Sequence, residues 1–331
     1  MCENSTVLVT ESQFVGSIVG LAVGDALGYP AEFRRRAQLL AEVGPEGITD
    51  FIALKDARFS RPFFIAPDCP PGTYTDDTQM TIAVAESLLR AGRADLDDLM
   101  AEMGRKFVSW SRSEKNNRAP GETCMEGCGN LSRGVHWRVA GVKDSKGCGS
   151  AMRVAPIGLY YNHLDQVAEI SRASSLLTHG HNAALEAAAA GAIMVAMALK
   201  GSDPEIIYGE IDRRCSNSSS DFSATWRKVP ELLTSPPEDV LTKDGIGEGW
   251  VGEEAVASAM YCFWRSPDDF KQAVLTAINT DGDSDSIGTI TGSVVGARLG
   301  IEAIPRNWRY GVEDSEYLHD LATRIWMNRY S

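Results

Sequence analysis

The stretch Phe14–Gly28, FVGSIVGLAVGDALG, decides the fold, and it has a near twin in Ile287–Gly300, IGTITGSVVGARLG. Gly16, Gly20, Gly24 and Gly28 fall every fourth residue, as do Gly288, Gly292, Gly296 and Gly300. Residues four apart share one helical face. Each segment therefore predicts a helix with a bare stripe, against which another backbone can come very close. Glycine costs helix stability, up to about 1 kcal/mol per site relative to alanine, so close packing must offset it. In a membrane such a stripe reads as a dimerisation face, but Asp25 and the short apolar length exclude that. The expected arrangement is two helices packed tightly in the core, against each other.

Outward from this pair, long Ala/Leu/Val/Ile/Met segments recur and alternating strand-like runs are scarce. With the striped helices at 12–27 and 286–299, further helices are expected at 77–91, 95–111, 164–175, 181–200, 204–214, 252–264, 268–278 and 315–327. The class is all-α. Irregular stretches at 56–76, 112–150, 215–223 and 234–250 read as long, functional loops. No stretch reads as an interdomain linker, so residues 12–331 form one expected domain after a polar segment, 1–11.

Composition narrows the function. The 331 residues are 44% hydrophobic and 23% charged, ordinary for a globular enzyme. A formal net charge of −13 repels phosphate backbones and anionic membranes, which argues against a nucleic-acid surface. It leaves room for one anionic ligand in a metal-filled pocket. Seven scattered cysteines form no disulfide framework, and no C-x-x-C pair or His-x₃₋₅-His supports zinc. Met1 to Glu11 has neither a basic nor an apolar leader region, and the run Ala187 to Leu199 is too short to span a bilayer. A soluble, reduced, cytoplasmic protein is expected.

The chemistry concentrates in two acidic motifs. Thr75-Asp76-Asp77-Thr78-Gln79 directly precedes one apolar helix, and Asp281-Gly282-Asp283-Ser284-Asp285-Ser286 precedes the second striped helix. Capping explains one carboxylate or hydroxyl at a helix N-terminus. Three Asp alternating within five residues repel one another, and no Lys or Arg lies between Lys271 and Arg298. A bound cation is the simple answer. The ligands on offer are hard oxygens, which favour Mg²⁺, Mn²⁺ or Ca²⁺ over Zn²⁺. An EF-hand fails, because the required glycine and glutamate positions hold Ser286 and Gly292. If the striped helices run antiparallel, Glu32 in Pro30-Ala31-Glu32-Phe33 emerges near Asp283 and Asp285.

Four motifs in order, Gly24-Asp25-Ala26-Leu27-Gly28, Thr75-Asp76-Asp77-Thr78, Gly147-Cys148-Gly149-Ser150-Ala151-Met152-Arg153 and Gly282-Asp283-Ser284-Asp285-Ser286, resemble those of the ADP-ribosylglycohydrolases. Gly247-Glu248-Gly249-Trp250 is also in place, so the resemblance runs from about residue 12 to 300. It implies a compact, roughly orthogonal helix bundle with two Mg²⁺ or Mn²⁺ ions in a cleft. By motif position, Thr75, Asp76, Asp77, Asp283, Asp285 and Ser286 are the implied metal ligands. Glu32 matches the acidic residue at the cleft mouth and is implied in catalysis together with Asp76, Asp77 and Asp285. Gly147, Cys148, Gly149, Ser150 and Met152 match a loop that wraps a diphosphate, with His179 and Trp250 as further substrate-binding residues.

Three departures stand out against the family pattern. Ser284 and Ser286 replace the more usual Thr, Cys148 stands where Asn is usual, and Gly127-Cys128 precede Gly129-Asn130 where arginine-specific relatives often carry Asp. The implied reaction is metal-assisted hydrolysis at C1″ of the distal ribose, acting on an ADP-ribosylated protein and releasing ADP-ribose. Arginine is the favoured acceptor over serine, with Glu126 or Glu122 as the carboxylate that reads the guanidinium. Two other classes fit the same residues. One is an ADP-ribose reader or an immunity-type partner of an ADP-ribosyltransferase toxin; the other is a two-metal phosphoesterase.

Overall fold

The computed structural model describes residues 9–52 and 69–329. Among the described residues the regular structure is entirely helical. The chain begins with α1 (Glu11–Gly28), α2 (Arg36–Val43), α3 (Asp76–Ala91), α4 (Leu96–Ser111), α5 (Glu122–Ser132) and α6 (Trp137–Ala140). It continues through α7 (Ala155–Tyr160), α8 (Leu164–Leu176), α9 (Asn182–Ala198), α10 (Pro204–Cys215), α11 (Ser220–Leu232) and α12 (Pro237–Val240). The last helices are α13 (Gly252–Arg265), α14 (Phe270–Ile278), α15 (Ser284–Leu299), α16 (Arg306–Gly311) and α17 (Ser315–Arg329). The main hydrophobic cluster runs through them from Phe14 to Ile325. No described helix is long and apolar enough to cross a membrane.

The two striped helices pack antiparallel at backbone contact. A Cβ on Gly24 would stand 2.1 Å from the Gly288 carbonyl oxygen, and one on Gly296 would stand 2.0 Å from that of Gly16. Gly20 and Gly292 oppose each other in the same way. No residue larger than glycine fits, which explains a stripe that helix propensity alone disfavours. The pairing also delivers the exit of α1 to the entrance of α15. The chain leaving α1 is bridged to the Asp281–Asp283 turn: Phe33 N–H donates to the Gly282 carbonyl, and Gly282 N–H donates to that of Arg34, both at 3.3 Å.

All ten expected helices are present, with ends shifted by a few residues at most. The loop reading of 112–150 needs correction, because α5 and α6 lie inside it. Interior glycines hid α5. Gly127 is required there by contact, since its Cβ would stand 2.6 Å from Thr178 Cα. The serine-rich stretch 215–223 is also a helix boundary, with Ser219 capping α11 through the Phe222 N–H. Most of the expected 56–76 loop falls outside the described residues.

Candidate metal centre and binding cleft

Asp25 sits in α1 with no exposed surface, between two glycines of the stripe. Its carboxylate accepts from the Thr75 N–H at 2.9 Å, from the Thr78 N–H at 3.0 Å and from the Thr78 hydroxyl at 2.5 Å. These bonds lock the first turn of α3 onto α1. They aim Asp76 and Asp77 at the side where α1 meets α15. Thr75 caps α3 by accepting from the Asp77 N–H, and Asp283 caps α15 by accepting from the Ser286 N–H at 3.2 Å. Capping and clustering are thus performed by the same residues.

Around this junction Glu32, Asp76, Asp77, Asp283 and Asp285 are all buried. Ligand oxygens of Glu32, Asp283 and Asp285 lie within 4.8 Å of one another. One oxygen on each of Glu32, Asp77 and Asp285 is buried without a hydrogen-bond partner. Burial, followed by repulsion from the neighbouring carboxylates, pushes Glu32, Asp77 and Asp285 well above the usual carboxylate range. Burial raises Asp76 to about 8 and Asp25 to about 6. Such a group of orphaned oxygens is costly without compensation and fits a hard divalent cation.

Asp281 belongs elsewhere. Partly buried, it accepts from the Arg36 N–H at 2.6 Å and pairs with Arg35, which also bridges to Glu248. Its counter-charge therefore comes from a segment distant in sequence. Among the described residues, the buried carboxylates of the cluster left without such a counter-charge are Asp283 and Asp285 together with Asp76, Asp77 and Glu32.

The cluster forms one wall of a cavity of about 650 Å³. Gly147, Cys148, Gly149, Met152 and His179 line a second wall, Gly121 to Cys124 a third, and Phe33 with Trp250 the rim. The Phe33 and Trp250 rings stack with centroids 5.1 Å apart. The Cys148 N–H donates to the Trp250 carbonyl at 3.2 Å, which ties the loop to the rim. A Cβ on Gly147 would come 3.1 Å from His179 Nε2, so glycine keeps this wall open. Two implied binding residues lie off the cavity surface: Ser150 is fully buried with its hydroxyl toward the Ala184 carbonyl, and Glu126 is exposed on α5. Glu122, one turn earlier, lines the cavity instead.

His179 is held by a relay that its sequence position alone did not reveal. Buried Arg153 donates to the Thr178 hydroxyl oxygen at 2.8 Å, and that oxygen lies 2.8 Å from His179 Nδ1. With its oxygen receiving from Arg153, the hydroxyl has one proton to give, and Nδ1 is closer than the Ser175 carbonyl at 3.5 Å. Nδ1 is then the acceptor, and Nε2 carries the hydrogen toward the Gly147–Gly149 wall. Burial and the Arg153 charge lower His179 to about 3, so the ring is neutral at physiological pH. Asp25, Arg153 and Thr178 hold the groups around the cavity in place, a part that their motifs did not reveal. The signal for Asp25 was a charge inside an apolar, glycine-striped helix.

Residues 7–331 match the family model for ADP-ribosylglycohydrolase. The chain belongs to the ADP-ribosylglycohydrolase family. Bovine ADP-ribosylhydrolase ARH3 is 26% identical, with 95% of this chain and 92% of that protein covered. The ADP-ribosylarginine hydrolase Tri1 of Pseudomonas putida is 25% identical, with 94% and 76% covered. A solved structure described as an ADP-ribosylglycohydrolase-related protein complex superposes with a TM-score of 0.73 at 27% identity, covering 96% of this chain and 98% of that one. The chain thus shares its fold with a solved ADP-ribosylglycohydrolase-related protein.

Proposed function

We propose that the protein is a divalent-metal-dependent ADP-ribosylhydrolase that releases mono-ADP-ribose from a modified protein side chain, with arginine as the acceptor. The observation that carries this reading is the buried set of orphaned carboxylate oxygens beside a glycine-walled cavity, in a chain of this family. Thr75, Asp76 and Asp77 at the start of α3, with Asp283, Asp285 and Ser286 at the start of α15, would hold two Mg²⁺ or Mn²⁺ ions. When bound, the cations supply the charge that offsets the cluster and the Lewis acidity that makes water a better nucleophile.

The chain's own groups do the rest. The Gly147–Gly149 backbone allows close approach of the diphosphate, and the Nε2–H of neutral His179 donates a hydrogen bond into the cavity beside it. Glu32 orients the attacking water and accepts its proton. The bond from C1″ to the acceptor breaks through an oxocarbenium-like state, and a proton returns to the leaving guanidine. Arginine is supported by the cavity-lining carboxylate Glu122, by the −13 net charge and by the likeness to an ADP-ribosylarginine hydrolase. A carboxylate there recognises a guanidinium through charge-assisted hydrogen bonds.

Mass analysis after incubation with ADP-ribosylated protein tests the proposal. Free ADP-ribose and an unmodified side chain are expected. A phosphoribosyl remnant on the protein would instead identify a phosphoesterase, and binding without turnover would identify a reader.

A further inference from the structure

The stretch Gly247-Glu248-Gly249-Trp250 is a crossroads that the proposed function leaves without a role. Its Glu248 carbonyl accepts from the Asp283 N–H at 2.9 Å, and its Trp250 carbonyl accepts from the Cys148 N–H at 3.2 Å. The Trp250 ring stacks on Phe33, next in sequence to Glu32. One short loop thus meets the acidic cluster, the Gly147–Gly149 wall and the rim. Glu254, in the first turn of α13, holds this loop. Its Oε2 accepts from two successive backbone N–H groups, that of Glu248 at 3.1 Å and that of Gly249 at 3.2 Å. The fit leaves no spare room. A Cβ on Gly247, where φ is +145°, would stand 2.2 Å from the Glu254 carboxyl carbon. One on Gly249, where φ is +84°, would stand 3.3 Å from Asp283 Cβ.

We propose that Glu254 is a positioning residue for the hydrolysis: its carboxylate sets the Gly247–Trp250 loop, and the loop carbonyls set Asp283 and Cys148. The inference rests on the proposed function and places a support for that reaction behind the cavity wall. Glu254 is not among the residues lining the cavity, so it acts through the loop. The neighbouring Glu253 is engaged elsewhere, with Lys146 at 2.9 Å. The rival role is charge alone, because a carboxylate at a helix N-terminus suits the dipole.

Two conservative variants separate the roles. Glu254→Asp keeps the charge at the start of α13 but is one methylene too short to reach both N–H groups. Glu254→Gln drops the charge but keeps an oxygen with two acceptor sites. Glu254→Asp should lower kcat/KM about 10²-fold, the effect of a misplacement of about 1 Å. Glu254→Gln should stay within about tenfold of wild type, as charge-assisted bonds become neutral ones. Steady-state release of ADP-ribose is measured beside acrylamide quenching of Trp250 emission, taken as the difference from Trp250→Phe in each background. Quenching should rise in Glu254→Asp and stay near wild type in Glu254→Gln. Wild-type kcat/KM in Glu254→Asp, or a larger loss in Glu254→Gln, overturns the inference and leaves Glu254 a charge on α13. A fall in activity with unchanged quenching overturns it as well, because the loop has not moved. Quenching needs no turnover. A wild type that releases no ADP-ribose therefore sinks the proposed function alone, and the quenching of the two variants still decides whether Glu254 sets the loop.

Discussion

Gly28→Ala links the glycine stripe to the chemistry, and its effect can be worked from the geometry. The added Cβ would stand 2.5 Å from Asp285 Cα and 2.7 Å from both the Asp285 nitrogen and the Ser284 carbonyl oxygen. Carbon atoms pack at about 3.5–4.0 Å, so the start of α15 must recede by about 1 Å. Overpacking of this kind costs about 1–3 kcal/mol, and the better helix propensity of alanine returns up to about 1 kcal/mol. An unfolding entropy of about 2.1 cal/mol/K per residue gives about 0.7 kcal/mol/K for this length, so Tm should fall by only ~1–3 °C. Activity should fall far more, because a misplacement of about 1 Å at a reacting centre costs about 10²-fold. Gly16→Ala makes the same insult at the other end of the pair, with its Cβ 2.5 Å from the Gly296 carbonyl oxygen. Differential scanning fluorimetry beside steady-state kinetics separates the two. Similar Tm losses are expected, with a large fall in kcat/KM only for Gly28→Ala. Equal activity in the two variants would refute the idea that the helix pair sets the position of Asp285.

Three further outcomes are expected. Glu32→Gln should still bind ADP-ribose in a calorimeter while turnover drops about 10²–10⁴-fold; wild-type turnover would remove Glu32 from the mechanism. Without cation, burial holds Asp76 near 8 and Asp25 near 6, above unfolded values of about 3.9. Their contribution to stability is therefore full below about pH 4 and is lost as pH rises through 6 to 8. Added Mg²⁺ should restore the melting temperature at pH 8 and release protons there, measured by calorimetry in two buffers of different ionisation enthalpy; proton-neutral binding would contradict the assignment. Glu122→Gln should raise KM for arginine-linked protein more than it changes ADP-ribose affinity, whereas exposed Glu126→Gln should do neither. The reverse order would return guanidinium recognition to Glu126.

The striped helices were legible as a closely packed pair because a four-residue glycine period has few other physical meanings. Their antiparallel sense was only a condition until the Gly16–Gly296 and Gly24–Gly288 contacts fixed it. The acidic motifs were legible as partners in one buried cluster because carboxylates so dense need a common source of compensation. What the chain order hid was contact between distant segments. Asp281 looked like a third member of the cluster until Arg35, some 250 residues earlier, came to neutralise it. Helix α5 was obscured because Gly127, which weakens the helical signal, is demanded by the passing Thr178 backbone. The Arg153–Thr178–His179 relay carries no local pattern, since Arg153 arrives from a different part of the chain. Glu122 and Glu126 were equivalent in sequence, and only the orientation of α5 sends one of them to the cleft.

The most direct test of the central claim is release of ADP-ribose from arginine-modified protein, followed in one sample before EDTA, after EDTA and after readdition of Mg²⁺ or Mn²⁺. Asp285→Ala, with its helical content checked by circular dichroism, is carried in parallel. Release should stop with EDTA and return with the metal, while folded Asp285→Ala releases nothing under any condition. Full release in metal-free buffer, or from Asp285→Ala, would contradict hydrolysis assisted by cations held between α3 and α15.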